Sequence, residues 1–153
     1  MKNTVVLKQQ LHHLCGEHIT ERVNNIREAI ELAQEAAHEE TKSSAGDKYE
    51  TGRAMMQLEI ENQMLQMAEA EKLKKALDQI NPLADCDTVV TGSLVTTSIG
   101  TFYLSVSVGK LTIDGKDYMA VSPSSPIGSL MLNREKGATV TFNGKEIRIT
   151  DIG

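Results

Sequence analysis

The sequence predicts an α+β chain in which a long antiparallel helical hairpin, residues 1–82, precedes a small antiparallel β domain with one short helix, residues 83–153. Three observations lead there. Apolar residues recur at helical spacing as far as residue 80, and from residue 88 β-branched residues alternate at period two. The aromatic residues divide unevenly: Tyr49 is the only one before Phe102, and Phe102, Tyr103, Tyr118 and Phe142 follow.

The first arm of the hairpin is read from Ile19, Val23, Ile26, Ile30, Ala33 and Ala37, a four-three alternation that draws one narrow apolar stripe along a helix and seeks one partner helix. Leu7, Leu11 and Leu14 keep similar spacing, but the step from Leu14 to Ile19 is five, so the stripe changes phase there. The partner arm carries Met55, Met56, Leu58, Ile60, Met64, Leu65, Met67, Leu73, Leu77 and Ile80, a broader face whose methionines read as seam packing. Asn62 lies within that face, where burial would fix the register. Asn81-Pro82 ends the arm, because the residue before proline is disfavoured in the helical region. Arms of about 30 to 35 residues span about 45 to 50 Å at the helical rise.

Between the arms lies a ten-residue turn, residues 43–52, with two carboxylates three residues apart. Asp47 suits the N-cap and Glu50 the third helical position, which is the arrangement of a capping box at the start of the second arm.

The β half begins after Asp85-Cys86-Asp87. Strands are expected at Thr88-Val89-Val90, at Leu94-Val95-Thr96-Thr97 and from Phe102 to Val108. Asp114-Gly115 and Asn143-Gly144 each sit between alternating stretches and suit type I′ hairpin turns. In the intervening Ser122-Pro123-Ser124-Ser125-Pro126-Ile127-Gly128, Ser125 is a good N-cap and Pro126 fits the first helical position, so a short helix covers one face of the sheet.

Charge and composition exclude several function classes. A formal net charge of −5 argues against a phosphate-driven grip on nucleic acid. No apolar run approaches the length of a membrane span and the first residues show no signal-peptide pattern, so a cytoplasmic protein is expected. Cys15 and Cys86 lack C-x-x-C spacing and are expected to be reduced thiols. His12, Cys15 and His18 recur every three residues, but zinc takes a fourth ligand; they read as a solvated or seam-edge helix face, without a metal.

Taken together, these residues resemble the bacterial Gre transcript cleavage factors. The resemblance is carried by Gly92-Ser93-Leu94-Val95, by the Ser122-Pro123-Ser124-Ser125-Pro126-Ile127-Gly128 string, by Lys136-Gly137-Ala138-Thr139-Val140 and by Ile147-Arg148-Ile149-Thr150-Asp151-Ile152. It implies an FKBP-like β domain that docks on RNA polymerase and a coiled-coil hairpin that enters the polymerase secondary channel. The family's tip motif, Gly-Asp-x-x-Glu, is matched by Gly46-Asp47-Lys48-Tyr49-Glu50. By that resemblance Asp47 and Glu50 help to hold a second Mg²⁺ in the polymerase active centre and promote hydrolysis of backtracked RNA. Ser122, Pro123, Ser125, Pro126, Ile127 and Gly128 are carried over as partner-binding candidates, alongside their structural reading as a helix cap.

The expected function is therefore that of an elongation factor, a monomer that is not itself an enzyme, binds no cofactor in isolation and meets nascent RNA only through the polymerase. The tip departs from the family after the second acid, where Thr51-Gly52-Arg53 stands, and this motivates an alternative: a secondary-channel regulator without cleavage activity. A third reading, an FKBP-like prolyl isomerase or small-ligand enzyme, wants an aromatic-lined pocket, and this half has four aromatic residues and no histidine.

Overall fold

The computed structural model describes the backbone of residues 2–42 and 47–153 and the side chains of residues 4–39 and 52–153. Helix α1 spans Lys2–Lys42 and helix α2 spans Asp47–Asp78. Strands β1 (Leu94–Thr97), β2 (Gly100–Leu104), β3 (Gly109–Ile113) and β4 (Lys116–Val121) follow, then helix α3 (Pro126–Met131) and strands β5 (Thr139–Phe142) and β6 (Lys145–Ile152). Gly16 of α1 faces Leu77 of α2, with 3.8 Å from a Cβ built at Gly16 to Leu77 Cδ2. Helices joined near residue 45 and touching through these two residues run antiparallel.

The expected ten-residue turn is shorter, because residues 47–52 are helical. One glycine inside a helix costs only about 1 kcal/mol relative to alanine, and Gly52, half-buried like Met56, starts the row that continues to the buried Ile60. Asp47 is accordingly the first residue of α2, where a capping box would place it just before the helix.

Two compact units are present: Ile19–Leu73, and Met1–His18 together with Lys74–Gly153. In the helical unit, Ile19, Ile26 and Ala33 are buried at seven-residue intervals, with Val23, Ile30 and Ala37 half-buried between and beyond them. The facing row on α2 is Met56, Ile60, Gln63, Met67 and Ala70, again spaced four and three. That row is narrower than the broad face read from the sequence. Met55, Leu58, Met64 and Leu65 are exposed, Leu58 at 60% and Leu65 at 68%, and Asn62 is exposed as well. Two antiparallel helices offer each other one stripe apiece, so the far side of α2 is left exposed.

The second unit holds a six-stranded sheet in the order β3-β4-β2-β1-β6-β5. Both hairpin turns form as expected: Asp114 and Gly115 have φ of 51° and 76°, Asn143 and Gly144 of 51° and 77°, the left-handed pair that a type I′ turn requires. The sheet is mixed, however, where an antiparallel one was expected. Strand β4 pairs parallel with β2, Phe102 beside Met119 and Leu104 beside Val121. After Leu104 the chain does not fold back on β2: the Val108 N–H bonds to the Val106 carbonyl at 3.0 Å, and Gly109 takes a φ of 91°. Strand β3 therefore pairs with β4 alone among the strands, and β4 enters the place beside β2 in the same direction. Two strand expectations also shrink. Thr88 makes a single bridge to Glu135, and residues 105–108 lie outside β2.

One face of the sheet packs on α3. Val95, Phe102, Leu104, Val121, Val140, Ile147 and Ile149 form a buried cluster with Val89 and Met131. The other face presents Leu94, Tyr103, Leu111, Tyr118 and Ala120, all buried. The first turns of α1 lie over that face, with Leu11 and Cys15 fully buried and hydrogen bonds from His12 and Cys15 to β2 and the residue after it. Burying one such apolar side chain contributes about 1.5 to 3 kcal/mol, so the start of α1 belongs to the core of this unit.

Candidate functional site

The acidic pair lies at the start of the second long helix. Asp47 opens α2, and Glu50 follows in the same first turn. Acids in a first helical turn are favoured there by the positive end of the helix dipole. Gly46 and the side chains of Asp47 and Glu50 lie outside what the structure describes.

The second candidate, the loop entering α3, is built from its own hydrogen bonds. Ser125 is the N-cap: its Oγ accepts from the Gly128 N–H at 3.1 Å and donates to the Ser122 carbonyl at 2.6 Å. The Ser122 N–H donates to Ser107 Oγ at 3.1 Å, tying the loop to the chain after β2. Pro126 opens the helix, and Ile127 packs on the core. A Cβ at Gly128 would stand 2.0 Å from the Ser122 carbonyl oxygen and 2.7 Å from Ser125 Oγ, so only glycine fits. Pro123 is half-buried in the same loop. The geometry accounts for Ser122, Ser125, Pro126, Ile127 and Gly128 as a fold-forming unit.

A third cluster went unread in the sequence. His12 Nδ1 and the Tyr103 hydroxyl are 2.9 Å apart with their rings edge to face, and Cys15 Sγ lies 3.9 Å from Ser105 Oγ. His12 and Cys15 thus join α1 to the sheet, where a solvated or seam-edge helix face was expected from their spacing; His18 is exposed. Burial holds His12 below its ordinary pKa against the opposing pull of Asp78. Burial raises the Cys15 thiol to about 11, with the Ser105 hydrogen bond acting the other way. The Tyr103 phenol is raised by burial and by the neighbouring Cys15 and Cys86 thiols. All three groups are held neutral near pH 7, as an interior joint requires. The signal for this joint was the five-residue step from Leu14 to Ile19, which falls where the compact units divide.

Cys15 and Cys86 are both free and buried. Among the described residues, no three His, Cys, Asp or Glu side chains gather as a metal site, and no helix is long and apolar enough to cross a membrane.

No family model, curated protein or solved structure matches the chain. Its function is therefore argued from its own residues.

Proposed function

We propose that this chain is a Gre-type transcription factor: an FKBP-like β domain docks on RNA polymerase, and a coiled-coil hairpin carries Asp47 and Glu50 through the secondary channel to stimulate cleavage of backtracked RNA. The observation that carries the reading is the position of the Gly46-Asp47-Lys48-Tyr49-Glu50 motif. Its two acids fall in the opening turn of α2, at the connection between two helices of 41 and 32 residues. Heptad-like burial along both helices agrees with a coiled coil, and the cap at Ser125 with the tight fit at Gly128 gives the Ser-Pro-x-Ser-Pro-Ile-Gly string a reason to exist.

The donor set suits magnesium, which takes hard oxygen ligands and commonly only one or two protein carboxylates beside phosphate and water. Asp47 and Glu50, both in the first turn of α2, would share the ion with the polymerase. Such an ion activates water and neutralises charge in an in-line displacement at phosphorus. The chain's own contribution is positional: the acids are delivered on a helix terminus, and the polymerase performs the hydrolysis. On this reading the factor is no nuclease alone and acts in the cytoplasm, beside the polymerase.

A photocrosslinking amino acid placed at Tyr49 tests the reading. Irradiation with core RNA polymerase is expected to yield adducts to the subunits lining the secondary channel. Absence of any polymerase adduct, with the protein folded, would overturn the assignment. Adducts without shortened transcripts would move the chain to the regulator reading, which the Thr51-Gly52-Arg53 sequence after the motif motivates.

A further inference from the structure

A cleft of about 530 Å³ opens in the sheet-bearing unit between the first turns of α1, the chain after α2 and the end of β6. Its walls are chiefly apolar, with Val5, Val6 and Ile152 among them, and Val6 is 51% exposed at its mouth. Lys8 also lines the cleft, yet only 1% of it is exposed. Its ammonium donates to the Ala84 carbonyl, one bond for a group with three donors. Among the described residues no carboxylate forms an ion pair with it. The two aspartates at the cleft are engaged elsewhere. Asp85 Oδ1 accepts from the Cys86 N–H at 3.1 Å, and Asp151 Oδ1 lies 3.9 Å from Lys136 Nζ.

A buried cation without a counter-ion is costly, and an anion that reaches it relieves the cost. We propose that the cleft binds a small amphipathic carboxylate, its aliphatic chain against Val5, Val6 and Ile152 and its head on the Lys8 ammonium. The volume falls within the usual range for small-molecule sites and leaves room for a medium-length aliphatic chain. This site lies in the unit that holds the sheet and does not depend on the polymerase reading.

Three probes of one length separate charge from greasiness: octanoate, octanol and octylammonium, titrated into the full chain below micelle-forming concentrations and followed by amide chemical shifts. Octanoate is expected to bind saturably, with shifts at Val5, Val6 and Ile152, and at least tenfold more tightly than the other two. Lys8→Met is expected to weaken octanoate about tenfold or more, the scale of a lost charge-assisted hydrogen bond. Val6→Glu, at a position exposed enough to accept a charge, is expected to weaken octanoate and leave octylammonium no weaker. This variant decides the matter should Lys8→Met fail to fold. No saturable octanoate binding, equal binding of octanol, or octanoate affinity unchanged by the Val6→Glu substitution would each overturn the proposal.

Discussion

The Tyr103 hydroxyl on β2 and Nδ1 of His12 on α1 meet at 2.9 Å across 91 residues of chain, fastening the start of the first helix to the sheet. With Leu11 and Cys15 fully buried on either side of it, this contact makes residues 11–15 a cover on the sheet, although the helix itself continues to Lys42. Tyr103→Phe keeps the ring and removes the hydroxyl. A loss of about 1 to 2 kcal/mol is expected, the scale for a hydrogen bond whose partner stays behind in a largely buried site. Urea unfolding of the two proteins checks it.

Acid should weaken the same joint. The His12 pKa is lowered in the folded state, so the unfolded chain takes up a proton first as pH falls. Stability contributed by neutral His12 is complete above the unfolded value near 6.5 and is lost from there down to the folded pKa, below which the loss levels off. In His12→Gln the decline of melting temperature through this window should be shallower than in wild type.

At the alkaline end the sign reverses. Cys15 is raised from 9.0 to about 11, so the unfolded chain releases its proton first. Stability due to the neutral thiol is complete below pH 9 and falls as pH rises toward 11. Cys15→Ala should flatten that decline, and the native thiol should react slowly with an aromatic disulfide reagent until the protein unfolds.

Gly128→Ala tests whether the loop before α3 is a fold-forming unit. Its Cβ would lie 2.0 Å from the Ser122 oxygen, which forces the backbone apart and threatens the Ser125 cap. A cost of about 2 to 3 kcal/mol is expected, as for overpacking combined with a disturbed cap. Denaturation midpoints report it.

The two sides of α2 should respond oppositely. Ile60→Ala removes a buried seam residue and is expected to cost about 2 kcal/mol or more, whereas Leu65→Gln, on the exposed side, should change stability by no more than about 0.5 kcal/mol. Thermal unfolding of the full chain compares them.

Local chemistry made much of this architecture legible. Asp114-Gly115 and Asn143-Gly144 dictate their turns because few other pairs tolerate positive φ twice, and Ser125-Pro126 announces a helix start within two residues. The stripe from Ile19 to Ala37 was readable because its only available partner is another helix. What stayed hidden depends on distant pairing. Alternation assigns Phe102 and Val121 to a face but carries no record of strand direction, so the parallel β2–β4 pair could not be read. Leu11 and Cys15 show the same helical period whether a helix or a sheet covers them. The burial of Lys8 likewise depends on how the fold closes over it. The acidic pair was visible as a motif, and the structure adds that its residues open α2.

The proposed function stands most directly on one measurement: the rate of internal RNA cleavage in a stalled, backtracked polymerase complex supplied with Mg²⁺. Wild-type chain is expected to accelerate cleavage, and Asp47→Asn or Glu50→Gln to reduce that acceleration at least tenfold while polymerase binding persists. Equal rates for the three proteins, with binding intact, would contradict the account.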